Sequence, residues 1–370
     1  MINLSPTQIA EELRTFTGRL AQGAKTLGGL GEIETGVSPR DPVYQEDKLT
    51  LYRYQPRVAE LHPIPLLIVY ALVNRPYMMD LQDDRSLIRG LLDAGVDVYL
   101  IDWGYADADD QQLTLADYVH RYIGHCVDHL RESRQLAAIN LLGVCQGGAL
   151  SLCFAALYPE KIRNLVTMVT PVDFHTPDNL LTHLIRHIDI DLLVNTLGNV
   201  PGQVLNFAFL SLSPFRLAGQ KYVDVVDILD DAVALKNFLR MEKWIFDSPD
   251  QAGEAFRQFA KDFFQQNKLV KNEVIIGERQ VDLRQITMPV LNVYASQDHL
   301  VPPAASKALA SCCGSGDYSE LCFRGGHIGI YVSARAQQEV PSAIASWLLA
   351  RQEPQKKKRK TAKRRVVRNP

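Results

Sequence analysis

Three observations predict an α/β fold, a mostly parallel sheet with helices on both faces. Short, mostly apolar runs recur at residues 66–70, 139–144, 165–169 and 290–295, the first of them continuously apolar. Helix-length segments lie between most of them. The run at 139–144 also enters a Gly-x-Cys-x-Gly turn that opens onto a helical segment. A strand that is apolar at every position is covered on both faces, as in a parallel sheet wrapped by crossover helices.

Taken in order, the first element is a helix over 5–27. Ser5 caps it, Pro6 suits its first position, and Gln8 completes a capping-box spacing. Ile9, Leu13, Phe16 and Leu20 form one apolar stripe that serves the body or a partner, and Gly28, Gly29 and Gly31 end it. Residues 49–54 alternate as a strand; 66–70 and 96–101 follow, then 139–144, 165–169, 290–295 and 318–323. Helices are expected at 85–94, 115–131 and 149–158. From 174 to 283 no strand of comparable quality occurs. Helical runs at 180–197, 233–244 and 254–267 and several phenylalanines predict a mainly helical cap insertion. The domain reading is therefore an N-terminal helix and linker (1–39), a core (40–173 and 284–350), a cap (174–283) and a basic tail (351–370).

A chain of 370 residues, 46% hydrophobic and 22% charged, can bury a large core. It has no uninterrupted apolar run of about 18 residues, so no membrane span is expected. The start M-I-N-L-S-P-T-Q lacks the basic-then-apolar pattern of a secretory leader. Six cysteines show neither a disulfide framework nor zinc-site spacing, which predicts a reducing, cytoplasmic setting. Charge is unevenly spread. Residues 356–370 hold nine of the 40 basic side chains and no acid, leaving 31 basic against 42 acidic residues and about −11 on the rest. That tail is either a solubilising terminus or an attachment to an anionic surface, nucleic acid or phospholipid.

The turn G-V-C-Q-G reads as the nucleophile elbow of an α/β-hydrolase fold, with Cys145 at the position usually held by serine. Gly143 and Gly147 leave room for the strained backbone, and Gly148 permits close packing. The following helix aims its positive end at the sulfur and, with a histidine, favours the thiolate. The backbone N–H of Gln146 is one oxyanion donor. The other is expected in the loop A-L-V-N-R-P-Y, at Val73 with Asn74 next to it. Asp298 ends the 290–295 run in Y-A-S-Q-D-H, and His327 follows the last strand in F-R-G-G-H-I-G. The chain order nucleophile, acid, histidine predicts a triad in which His327 moves the proton of Cys145. His299 competes for that role but precedes Leu-Val-Pro-Pro instead of ending a strand, so it reads as support.

Other constellations read as structural. His125 with His129 and His183 with His187 are i,i+4 pairs without a third ligand nearby, and H-L-I-R-H lacks a zinc protease's glutamate. They are expected on helix surfaces, with no metal. No glycine-rich phosphate loop occurs. Cys312 and Cys313 read as a surface loop, Cys153 as core.

Five segments together resemble the catalytic subunit of polyhydroxyalkanoate synthase over roughly 40–350: V-Y-A-L-V-N-R-P-Y-M-M-D-L (69–81), Y-L-I-D-W-G (99–104), L-L-G-V-C-Q-G-G (141–148), Y-A-S-Q-D-H (294–299) and G-G-H-I-G (325–329). The short N-terminal region and the Gln after the cysteine resemble the two-subunit class III enzymes; class IV enzymes are of similar size. The resemblance implies polymerisation of short-chain (R)-3-hydroxyacyl-CoA, chiefly (R)-3-hydroxybutyryl-CoA, with release of coenzyme A. It implies Cys145 as acyl acceptor, His327 as base and Asp298 as third member, the Asp also helping to activate the 3-hydroxyl. No cofactor is implied beyond the coenzyme A thioester substrate. A second, non-catalytic subunit, homodimerisation and residence at polyester granules are implied too. The basic tail matches no part of the family pattern.

The residue chemistry points the same way. Passing an acyl group from coenzyme A to Cys145 exchanges one thioester for another, so the carrier stays activated for attack by a hydroxyl. A serine would fall to the oxyester level at once. An apolar cap would keep water from that carrier. Two rivals remain: a cysteine-dependent hydrolase resembling dienelactone hydrolase, disfavoured by the long insertion, and an inactive granule scaffold, disfavoured by the intact Cys, Asp and His. Truncation after Glu353 tests the tail: loss of salt-sensitive DNA binding with unchanged turnover assigns it to anionic surfaces.

Overall fold

The computed structural model describes residues 31–212 and 221–352, with residues 11, 14, 17, 18, 26, 28 and 29. The stripe Ile9, Leu13, Phe16 and Leu20 and the basic tail from 353 lie outside the described residues.

Eight strands build one sheet: β1 (Arg40–Glu46), β2 (Leu49–Tyr54), β3 (Leu66–Val69), β4 (Val98–Asp102), β5 (Ile139–Val144), β6 (Ile162–Met168), β7 (Val290–Ala295) and β8 (Tyr318–Phe323). Their spatial order is β1-β2-β4-β3-β5-β6-β7-β8, and only β2 runs against its neighbours. The expected mostly parallel α/β sheet is therefore present. Alternate residues of each central strand feed two cores. Leu67, Val69, Leu141 and Leu165 pack beneath the helices Gly124–Arg134 and Gln146–Leu157. Leu66, Ile68, Leu142 and Val166 face Leu87–Asp93 and Ala334–Leu349. Burial on both faces explains why these strands lack polar alternation.

Two departures from the sequence reading have local causes. Strand β1 was not predicted: R-D-P-V-Y-Q-E is polar, carries a proline and pairs with β2 alone, as edge strands do. The helix expected over 180–197 is broken into Leu180–Ile185 and Ile190–Leu197, because the Asp189 carboxylate accepts the Leu192 N–H at 2.9 Å and starts a new helix. The helix Gly202–Ser211 was also not foreseen.

Among the described residues helices dominate 180–265, including Ala232–Phe246 and Gly253–Phe259, and a two-residue ribbon pairs Ile275–Ile276 with Arg279–Gln280. Phe259 and Phe263 stack at 4.3 Å between centroids, and Phe174 meets Phe263 edge-on at 5.8 Å, wedging this helical layer onto the sheet's core. Arg351 is not free tail: it makes two bonds to Asp317, at 2.8 and 2.9 Å, and lies over Trp347. Among the described residues no helix is long and apolar enough to cross a membrane. Phe263→Ala should cost about 3–5 kcal/mol, since its ring is wholly buried; a urea midpoint unchanged from wild type would contradict this packing role.

Candidate active site

Register brings the site together. Val69 pairs with Gly143 and Val144 with Met168, so the chain leaves three adjacent strand ends at Tyr70, Cys145 and Val169. Next along the sheet, Ala295 pairs with Phe323, and the loops after them carry Asp298 and His327. These are the carboxyl ends of parallel strands, where loops from an open α/β sheet converge on a ligand.

Cys145 sits at φ 52° and ψ −121°, a left-handed conformation for a side-chain-bearing residue. Its N–H donates to the Met168 carbonyl at 2.9 Å, and its own carbonyl accepts the Gly148 N–H at 3.0 Å. The elbow tolerates this because its neighbours are small. A Cβ on Gly147 would lie 2.4 Å from the carbonyl oxygens of Val69 and Tyr70, and one on Gly148 would lie 1.9 Å from Thr170 Oγ1. The half-buried sulfur thus stands at the start of the helix Gln146–Leu157.

Asp298 and His327 are buried, at 5% and 8% exposure. His327 Nδ1–H donates to Asp298 Oδ2 at 2.7 Å, leaving Nε2 for the thiol side. The other carboxylate oxygen accepts the N–H groups of Leu300 and Val301, each at 2.9 Å, so the acid is fixed by its own loop. Burial works against charge on His327. The Asp298 carboxylate and a hydrogen bond from the ring to Cys145 work the other way and win, holding its imidazole above the ordinary histidine range. Two loop bonds, Ser296 N–H to Phe323 O and Gln297 N–H to Gly325 O, both 2.8 Å, tie acid and histidine loops together. The structure therefore brings Cys145, Asp298 and His327 to one point.

Gln146 and Val73 line the same cavity as Cys145, and Asn74 stands beside them. Asn74 adopts φ 60° and donates to Ser248 Oγ at 2.6 Å, pinning the loop to the helical layer. His299 is exposed at the cavity wall, and Asp298 has both oxygens engaged elsewhere. The reading missed three neighbours. Tyr70 and Tyr331 are buried phenols beside Cys145, both held in the neutral form first by burial. The third is the Gln146 side chain, whose Oε1 accepts the Leu72 N–H at 3.1 Å. Tyr70 stood at the end of a recognised strand; the other two left no local signal.

The cavity over the sulfur has a volume of about 450 Å3, and apolar side chains such as Leu181, Ile185, Phe209, Met241, Trp244 and Phe256 dominate its lining. Its wall is fastened to the loop after β3: Trp244 Nε1–H donates to the Arg75 carbonyl at 2.8 Å, and the Tyr77 hydroxyl to Asp247 at 3.0 Å. Arg75 itself is held by Asp102 and the Gly104 carbonyl, at 2.9 and 2.8 Å.

The histidine pairs have ordinary partners. His125 binds Glu46 at 2.8 Å, His129 packs on Tyr44, and His183 bonds the Pro177 carbonyl at 3.0 Å. Among the described residues no three His, Cys, Asp or Glu side chains are grouped to hold a metal. Cys153 is buried as expected. Cys312 and Cys313 were expected in a surface loop, but Cys312 ends the short helix Leu309–Cys312 and both are half-buried against the core. Burial pushes the Cys312 thiol up to about 11.

A strained cysteine elbow, a histidine and a buried aspartate at the strand ends define a site of the α/β-hydrolase class. The family model of the alpha/beta hydrolase fold matches residues 64–334, and that of the poly-beta-hydroxybutyrate polymerase N-terminus matches 11–91. A monoacylglycerol lipase of Paleococcus ferrophilus has the same fold, with TM-score 0.50 and 17% identity over 81% of this chain and 99% of that one. The chain is 60% identical to the poly(3-hydroxyalkanoate) polymerase subunit PhaC of Allochromatium vinosum, over 94% of this chain and 98% of that one. It is 55% identical to the protein of the same name from Synechocystis, over 92% and 93%. This chain belongs to the family of poly(3-hydroxyalkanoate) polymerase subunits PhaC, and it is an enzyme.

Asp298→Asn should lower the His327 titration from its native value, because the largest raising influence, the carboxylate, is gone while burial remains. In the native chain a raised imidazole adds stability that is full below 6.5 and lost as pH climbs through the folded value. That alkaline loss should shrink in Asp298→Asn; imidazole NMR and melts across pH read both effects.

Proposed function

We propose that this chain polymerises short-chain (R)-3-hydroxyacyl-CoA, chiefly (R)-3-hydroxybutyryl-CoA, through a thioester on Cys145. The observation that carries the reading is the His327 imidazole, held between Cys145 and Asp298 under an apolar cavity in a PhaC relative. His327 takes the Cys145 proton, and the thiolate attacks the thioester carbonyl of the substrate. The N–H groups of Gln146 and Val73 receive the oxyanion. The bond to the coenzyme A sulfur breaks, and His327 returns the proton to that leaving thiolate. A 3-hydroxyl then gives its proton to His327 while its oxygen attacks the acyl carbon. An ester forms and the Cys145 thiolate leaves. Asp298 holds the imidazole in the tautomer that both half-reactions need.

An apolar wall suits this chemistry because water is the competing nucleophile for the acyl carrier. No cofactor enters the proposed cycle. In this reading the chain works in the cytoplasm at polyester granules, with a second non-catalytic subunit and as a homodimer. The basic tail remains available to an anionic surface.

Exposure to (R)-3-hydroxybutyryl-CoA followed by mass spectrometry should find the acyl group on Cys145 and none in Cys145→Ala; labelling elsewhere in that variant moves the nucleophile. His327→Gln should slow acylation by about 10²–10⁴-fold, and His299→Gln by less than about tenfold; the reverse order transfers the base to His299. The isolated chain should be weakly active until a partner subunit is added, and full activity alone contradicts the two-subunit assignment.

A further inference from the structure

The backbone of Gln146 is all that an oxyanion donor requires, yet its side chain is engaged on two sides. Oε1 accepts the Leu72 N–H at 3.1 Å, and Nε2 donates towards Gln251 Oε1 at 3.5 Å. All three residues are buried. Gln251 in turn exchanges both backbone bonds with Val200, each at 2.9 Å, within the helical layer. One amide therefore touches the elbow, the loop after β3 and the helical layer.

That loop is held at its ends. Trp103 Nε1–H donates to the Tyr70 carbonyl at 3.0 Å, and Asn74 is pinned to Ser248. Between these anchors, the Leu72 bond to Gln146 fixes the Ala71–Leu72 peptide, one residue before the peptide that carries the Val73 N–H. A methionine of similar length would fill the same space, so packing alone does not call for an amide.

We propose that Gln146 is a positioning residue for acyl transfer, its side chain holding the loop after β3 so that the Val73 N–H meets the oxyanion when the helical layer is seated on it through Gln251. This rests on the reading of Cys145 as acyl acceptor with Val73 and Gln146 as donors. The amide does not touch the reacting atoms. It sets the angle of a dipole, and displacing a catalytic group by about 1 Å costs on the order of 100-fold in rate.

The test uses the full-length chain with (R)-3-hydroxybutyryl-CoA, measuring coenzyme A release alongside alkylation of Cys145 by iodoacetamide. Alkylation needs the thiolate but develops no oxyanion, so it reports the elbow without the hole. In Gln146→Met, kcat should fall about 10–100-fold with KM changed less than about threefold and alkylation within about twofold. Gln251→Leu keeps the Leu72 bond and removes the cap contact, so kcat should fall by a smaller factor with alkylation again unchanged. A kcat within twofold of wild type, a change in KM alone, or a parallel fall in alkylation overturns the proposal. Should Gln146→Met not fold, Gln251→Leu decides by the same criteria. If alkylating wild-type Cys145 leaves coenzyme A release intact, the nucleophile assignment itself fails, and this proposal with it.

Discussion

The site depends on one backbone geometry, the left-handed conformation of Cys145. A side-chain-bearing residue held there stores on the order of 1–3 kcal/mol, so the surroundings must over-determine it. They do: a strand fixes the chain before it, a helix fixes it after, and the Met168 carbonyl holds its N–H. The strain turns the sulfur out of the sheet while leaving the helix's first turn directly behind it. Any relaxation to an ordinary β or α conformation would swing the thiol away from His327. The glycines at 147 and 148 are consequences of the same demand, because the turn is sharp enough to press its backbone onto Tyr70 and Thr170.

The parallel sheet supplies the remaining parts. Register places the ends of β3, β5, β6, β7 and β8 along one edge, and each critical side chain leaves from the loop after such an end. The acid is instructive. One Asp298 oxygen is spent on two backbone N–H groups of its own loop, and the other on His327. Such a carboxylate cannot swing to His299, so the imidazole that it orients is decided by loop geometry before any substrate arrives.

This division of labour also explains what was legible in the sequence. Strands β3, β5 and β7 announced themselves because two-sided burial makes them mostly apolar, without a polar face. Cys145 and Asp298 were readable because each follows such a strand, and His327 because its glycine-flanked loop follows the last strand in the expected chain order. Strand β1 was not readable, since an edge partnered on one side carries no apolar run. The break at Asp189 was hidden by helical periodicity continuing across it, although an aspartate there is itself a capping signal. The Gln146 bond to Leu72 spans 74 residues and the approach of Tyr331 to Cys145 a larger interval; contacts of that range exist only once the sheet has aligned its loops.

The cap is more than a cover on these grounds. Trp244, Asp247 and Ser248 all bond to the loop after β3 or its neighbours, while Gln251 meets the elbow through Gln146. The apolar wall that would shelter a thioester from water and the loop that would stabilise its tetrahedral intermediate are consequently one mechanical unit. Under the proposed chemistry that joining has a reason. A hydroxyl and a water molecule attack an acyl carbon by the same route, and the enzyme must favour the first. A loop held through Gln146 and Gln251 to the helical layer would then offer full oxyanion stabilisation only while the wall that excludes water is in place.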